Sequence, residues 1–265
     1  MKTIFLKTLK KHRKGLVIWV LVMILTAFYA YMETPMVMEN MDSIMSAMEA
    51  IPRIVVIMFG MNGPSIGTPI GYYMIMYYWY CLMVYPHAAF VGASFISTEE
   101  RDRTSEFLFA KPYSRSTVIT AKLLAGLVNI LVMGLFTWLT TMVLLIPAMG
   151  NAPIHSAVTL TAVGMFFTQV VFMALGFLCS ALLKSYKVAL GASLLLVFGT
   201  YAIGVVIEYM GNLNALDFLS PFRYFAATEV VESGLGGMGL LLTMVITAAS
   251  LFVTYVRYQK RDLRV

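Results

Sequence analysis

Charge is what this chain has least of. Only 12% of its 265 residues are Asp, Glu, Lys or Arg, while 60% are hydrophobic. A soluble domain carries about twice that share of charge, which excludes a soluble enzyme built round one large core. Cysteine is nearly absent as well. Cys81 and Cys179 both lie inside apolar runs, with no CxxC spacing and no Cys/His partner, so they form neither a disulfide framework nor a metal site and are read as packing. Motifs for hydrolysis are missing: there is no GxxxxGK[ST], no HExxH and no GxSxG. The stretch "EERDRTSE" approaches the EExxxR pattern of intramembrane proteases, but Thr104 stands where the Arg is needed. The chain is therefore read as not being an enzyme itself.

Apolar runs are abundant. Six of them, at 15–32, 71–97, 118–147, 157–183, 188–207 and 238–256, reach the roughly 18 residues that cross a bilayer as a helix. Helices are expected because a backbone facing lipid must satisfy its own hydrogen bonds. The fold class is all-α integral membrane, in one membrane domain over 1–265. The first run follows basic residues as a signal peptide would, but it is long and no small-x-small cleavage site follows, so it reads as an uncleaved anchor.

The few charges are sorted. All but two of the 19 lysines and arginines fall in the amino-terminal tail, the loop after the second run, the loop after the fourth, and the carboxyl tail. The exceptions, Arg53 and Arg223, lie in the opposite loops together with Glu33, Glu39, Asp42, Glu49, Glu208, Asp217, Glu229 and Glu232. Under the positive-inside rule both termini are cytoplasmic. The net charge of +6 is then topology signal and attraction to the lipid bilayer, and no nucleic-acid partner is implied. In "MKTIFLKTLKKHRKG", Phe5, Leu9 and His12 share a stripe, which suggests an interfacial helix ahead of the first span.

Outside, Met38, Met41, Met45 and Met48 recur at helical spacing, and "IVVIMFG" after Pro52 is long enough only to dip into the membrane. Thioethers suit Cu(I), which keeps a copper-related permease open; methionine as apolar filler is the plainer reading. A second outer hairpin should break at Ser220 and Pro221, near Arg223, and restart toward Val231. It needs protein cover for its backbone.

Polar residues inside the spans are candidates for a substrate path: Tyr77 and Tyr80 in an aromatic-rich second span, then His87, Asn129 and Gln169. The structural alternatives are a His87 bonded to a carbonyl freed by Pro86 and interhelical hydrogen bonds for Asn129 and Gln169. Gly92 with Ile96 and Gly126 with Ile130 form no GxxxG pair, so close packing of spans two and three is left open.

The densest charge is in "STEERDRTSEFLFAKPYSRSTVITAKLL", 97–124. Ser97 and Glu100 have capping-box spacing. Glu99 with Arg103 and Arg103 with Glu106 have helical pair spacing. Pro112 ends the element by forcing Lys111 out of helical geometry. A charged-then-apolar helix from near Thr98 to Ala110 is expected, with Ser114 or Ser116 capping span three and Lys122 reaching the inner surface. Basic residues alone set topology, so the acids and the trailing Phe107, Leu108 and Phe109 suit a docking surface.

This segment resembles the cytoplasmic coupling helix of the ABC type-2 exporter permeases. Glu99 and Glu100 match the family's acidic pair; Thr104, Leu108, Pro112, Ser114, Arg115 and Lys122 match the rest, and Arg103 stands where many members carry Gly. The whole-chain plan is similar too: an amino-terminal interfacial helix, six spans, and a broken outer hairpin with "LSPFRYF" before the sixth. The resemblance implies a bacterial plasma-membrane exporter. A separate cytoplasmic ABC ATPase subunit would bind the ATP and Mg, with no cofactor on this chain. A second permease chain, identical or related, would complete the path. Glu99, Glu100, Arg101, Asp102, Arg103, Thr104, Glu106, Phe107, Leu108, Phe109, Pro112 and Arg115 would then form or orient the ATPase contact. Peptides, antibiotics and lipid-like molecules are among the family's cargo, and a peptide-resistance or sensing complex is a further version. The rival is a standalone secondary transporter or channel, which should show mid-membrane charge for its coupling ions.

Overall fold

The computed structural model describes residues 1–63, 66–101, 113–183 and 185–260, without the side chains of Asp42, Met45 and 97–101. All regular structure among them is helical. In chain order the helices are α1 (Lys2–Glu39), α2 (Met41–Glu49), α3 (Arg53–Met58), α4 (Pro69–Arg101), α5 (Arg115–Thr140), α6 (His155–Leu182), α7 (Tyr186–Met210), α8 (Ala227–Ser233) and α9 (Gly237–Lys260). Six of these are long and apolar enough to cross a membrane: α1, α4, α5 with its extension to Ala148, α6, α7 and α9. They coincide with the six expected runs.

α1 differs from expectation. The basic segment does not form a separate helix, since α1 runs unbroken for 38 residues. Gly15, the only weak point between the tail and the span, costs about 1 kcal/mol against alanine and does not break a helix flanked by good formers. At 1.5 Å per residue α1 is about 57 Å long, far beyond a hydrocarbon core of about 30 Å, so its basic turns project past the apolar layer.

α4 is the axis of the bundle: 78% of its span is buried, against 17% for α1 and 22% for α9. Its closest neighbour is α6, and the contact is made by missing side chains. A Cβ on Gly92 would run into the Met173 carbonyl oxygen and lie 3.0 Å from Gly176 Cα, and one on Gly176 would meet the Ala89–Ala93 backbone. Ser180 Oγ donates to the Ala93 carbonyl at 3.0 Å one turn further on. Small residues let two backbones touch where lipid supplies no hydrophobic drive. The tight crossing is thus between spans two and four, not two and three.

α5 begins on Ser114, whose Oγ accepts from Thr117 N–H at 3.2 Å, the expected cap. It loosens into a π turn at Thr141–Leu145 before its last turn, Ile146–Ala148. Pro147 has no N–H and its ring crowds the carbonyl four residues back, which the wider turn accommodates. The methionines that follow the first span pack: Met38, Met41 and Met48 lie against the main core.

Candidate sites at the two ends of the bundle

One end gathers the basic residues. Ile4 of α1 packs with Val118 and Ala121 of α5. Ser94 of α4 lies 3.4 Å from the Tyr186 hydroxyl at the start of α7. Arg115 Nη1 donates to the carbonyls of Tyr258 and Gln259, both at 3.1 Å. A helix leaves its last carbonyls without partners, and Arg115 satisfies two of them on α9 while standing in the first turn of α5. Lys122 does not reach the surface as expected. It is 1% exposed, and its Nζ donates to the Ile96 carbonyl at 3.3 Å. The α4–α5 connection is therefore clamped on both sides, by Lys122 to α4 and by Arg115 to α9.

The expected docking helix is only partly in view. α4 continues without a break through Ser97, Glu99, Glu100 and Arg101, so Ser97 is helix interior and not a cap. No breaker lies between Ile96 and Glu100, and glutamate extends a helix readily. Asp102, Arg103, Thr104, Glu106, Phe107, Leu108, Phe109 and Pro112 lie outside the described residues.

The opposite end carries the acids. α7 stops at Gly211, in the left-handed region at φ 70°, and the chain folds back as two 3-10 turns, Asn214–Leu219 and Pro221–Arg223, before α8. Ser220 and Pro221 mark the break, as expected. Cover is provided: Ser220 Oγ donates to the Thr200 carbonyl at 2.8 Å, and Phe225 is buried over Gly164 of α6. Arg223 bonds Glu208 of α7 through Nη1 and Asp217 through Nε. Burial opposes the guanidinium charge, but the hydrogen bonds and charges of Glu208 and Asp217 outweigh it and hold Arg223 above its ordinary pKa. Burial pushes the Glu229 carboxyl up, and the Arg223 charge opposes that rise. Beneath this cluster is a cavity of about 140 Å³, lined among others by Asn62, Tyr77, Tyr78, Tyr201, Glu208 and Phe222.

The aromatic crowd of the second span surrounds α4 with contacts. Tyr72 donates to the Ala30 carbonyl of α1 at 3.3 Å. Tyr77 donates to the carbonyls of Thr161 at 3.3 Å and Phe225 at 3.4 Å. Trp79 meets Phe59, just after α3, with ring centroids 5.4 Å apart. A central helix has neighbours on every side, and long amphipathic rings fill those seams.

The expected path residues separate. Tyr77 lines the outer cavity. His87 and Asn129 line an inner pocket of about 160 Å³ with Lys11, His12 and Trp19. Tyr80 and Gln169 are buried in neither. The interhelical bond expected of Asn129 is made to His87, a side-chain hydrogen bond between α5 and α4, whereas His87 Nδ1, Asn129 Oδ1 and both polar atoms of Gln169 have no partner among the described residues. Gln169 instead lies by Gly134, where a Cβ would come 3.3 Å from Nε2. Sequence reasoning missed Lys122 as a buried tie and the Gly92–Gly176 crossing. Ala88-xxx-Gly92 and Gly176-xxx-Ser180 were the available signal.

Among the described residues, six helices long and apolar enough to cross a membrane form one bundle, with basic residues gathered at one end and acidic residues at the other. The chain belongs to the ABC-2 family transporter proteins, whose family model matches residues 2–263. No curated protein matches it. Membership makes the chain a multi-pass membrane permease of an ABC transporter and implies an ABC ATPase subunit as its partner.

Proposed function

We propose that this chain is the membrane half of an ATP-driven exporter of a bacterial plasma membrane. A separate subunit binds ATP and Mg and hydrolyses the nucleotide, and this chain holds no cofactor and catalyses nothing. Both termini face the cytoplasm, because the basic residues of the α1 start, the α4–α5 connection and the α9 end share one end of the bundle. Two copies, or one copy and a related chain, form the path.

The observation that carries the coupling role is the double clamp on the α4–α5 connection. A load on the segment between Arg101 and Arg115 passes through Lys122 to the Ile96 carbonyl of α4 and through Arg115 to the end of α9. Such ties transmit a displacement as a rigid-body movement, because packed interfaces shift between discrete arrangements and do not deform continuously. The connection carries Glu99, Glu100, Arg101, Asp102, Arg103 and Glu106 close in sequence to Phe107, Leu108 and Phe109, a composition that suits a docking surface with steering charge.

Reversing the pair Glu100→Arg with Arg103→Glu is expected to abolish stimulation of the partner's ATPase by the reconstituted permease while leaving thermal unfolding of the chain unchanged. Unaltered stimulation would contradict the docking role. A secondary transporter would need mid-membrane charge for its coupling ion. Of the candidate path residues only His87 is ionisable in that position, and it carries no such mechanism alone.

A further inference from the structure

Two short segments cover the cavity at the acidic end, and both are fastened to α7. The first is the turn after α3. Tyr201 of α7 donates to the Met58 carbonyl at 2.6 Å, and Asn62 donates to Glu208 Oε1 at 2.9 Å. Between them Gly60, at φ 70°, presses on α4, where a Cβ would lie 2.5 Å from the Tyr78 ring. The second segment is the hairpin of 3-10 turns. Ser220 Oγ donates to the Thr200 carbonyl at 2.8 Å and sits over Gly204, where a Cβ would meet it at 2.7 Å. Arg223 donates to Glu208 Oε2. One carboxylate thus holds both segments, one on each oxygen. The cavity, about 140 Å³, is lined by Asn62, Glu208 and Arg223 of this joint and by Tyr77 and Cys81 of α4. Asn62 is exposed while Tyr77 and Cys81 are buried, so the two segments stand between the cavity floor and water.

We propose that Glu208 is the latch of a lid: the turn after α3 and the hairpin open together over the cavity when its carboxylate releases Asn62 and Arg223. Both segments are short. α3 has six residues and the hairpin consists of two 3-10 turns, and helical pieces of that length do not hold without anchorage. Their fastenings lie near water, with the side chains of Glu208, Asp217 and Arg223 at 37%, 35% and 17% exposure, so water replaces a broken bond at small net cost. The hairpin keeps a brace of its own when Glu208 lets go, because Arg223 also bonds Asp217 within it. The tie from the hairpin end to α4 is long, Tyr77 to the Phe225 carbonyl at 3.4 Å. Thr200 and Tyr201 stand two turns deeper on α7 than Glu208, about 10 Å, and their bonds are the hinge. The lid rests on these contacts alone and holds whichever cargo or energy source the permease uses.

Cys81 is the reporter. The chain has two cysteines, and Cys179→Ala leaves Cys81, on the cavity floor, as its one thiol. In this background the full chain, purified and held in lipid nanodiscs, is treated with N-ethylmaleimide, a small neutral reagent that nearby charge does not concentrate. Glutamine at the latch keeps the shape but offers only one acceptor. Labelling of Cys81 is expected to be slow in the parent and about tenfold faster in Glu208→Gln, the factor that loss of one hydrogen bond to a charged group gives an opening equilibrium. Asn62→Ala, at an exposed position, should speed labelling too and add little to Glu208→Gln, because both act through the same carboxylate. Glu232→Gln removes an exposed acid of α8 and should leave the rate unchanged. Faster labelling in the first two variants, at unchanged unfolding temperature, supports the latch; Asn62→Ala decides alone if Glu208→Gln does not fold. A parent rate in both overturns it, as does full additivity of the two. Faster labelling that tracks a fall in unfolding temperature, or appears equally in Glu232→Gln, marks general loosening and overturns it as well.

Discussion

Gly92→Leu is expected to keep the bundle from closing, and Gly92→Ala to destabilise it by about 2–3 kcal/mol. The backbone of α4 rests on that of α6 at this point, and even a Cβ would overlap the Met173 carbonyl and press on Gly176 Cα. Overpacking a flexible side chain costs about 1–3 kcal/mol; here the obstacle is backbone, which cannot turn aside. α4 is the most buried span, so separating it from α6 would also strain the hydrogen bond from Ser180 to Ala93. Gly199→Ala on α7 is the control, because its Cβ meets nothing within 4 Å. It should be neutral or slightly stabilising through helix propensity. Thermal unfolding of the purified chain in detergent, followed by tryptophan fluorescence, compares the two. Similar unfolding temperatures for Gly92→Ala and Gly199→Ala would contradict the close crossing.

Arg223→Met is expected to destabilise the outer hairpin by about 2 kcal/mol. The side chains of Arg223, Glu208 and Asp217 are 17%, 37% and 35% exposed, which places the cluster between a surface pair worth at most about 1 kcal/mol and a buried pair whose breaking costs about 3–5 kcal/mol. Methionine keeps the stem's apolar contacts and removes the charge. The pH dependence has a definite sign. Glu229 is raised by burial in the folded chain, with Arg223 opposing the rise. A carboxyl raised on folding binds its proton more tightly in the folded state, so it lowers stability as pH climbs through its folded value and ceases to do so below the unfolded one. Without Arg223 that rise is larger. The deficit of the variant should therefore be greatest at neutral pH and shrink as pH falls toward the ordinary carboxylate range near about 4. A deficit independent of pH would show that Arg223 acts through packing alone.

The two ends of the molecule were unequally legible in its sequence. The spans could be read because hydrocarbon imposes a length and a polarity on any helix that crosses it. The outer break at Ser220 and Pro221 could be read because proline cannot continue a helix. The amino-terminal helix was divided where the chain is continuous, because a change from basic to apolar composition marks a change of environment and not of backbone conformation. Ser97 has the spacing of a cap, yet α4 runs through it. The partners of polar groups were least legible. Lys122 has the position of a snorkelling surface residue and is buried against Ile96; Asn129 makes an interhelical bond, to His87, but Gln169 makes none with the described residues. Which neighbour a side chain meets depends on helix rotation, and hydropathy of a nearly all-apolar helix does not encode it.

The claim that this permease is driven by a separate ATPase is tested most directly by purifying the tagged full-length chain from its own membrane in mild detergent, then measuring composition, stoichiometry and ATP hydrolysis of what comes with it. The account predicts a complex of two permease chains with P-loop ATPase subunits, whose permease-stimulated hydrolysis is lost on Glu100→Arg with Arg103→Glu. A chain that purifies without any ATPase, and moves its cargo in vesicles on an ion gradient alone, would contradict it.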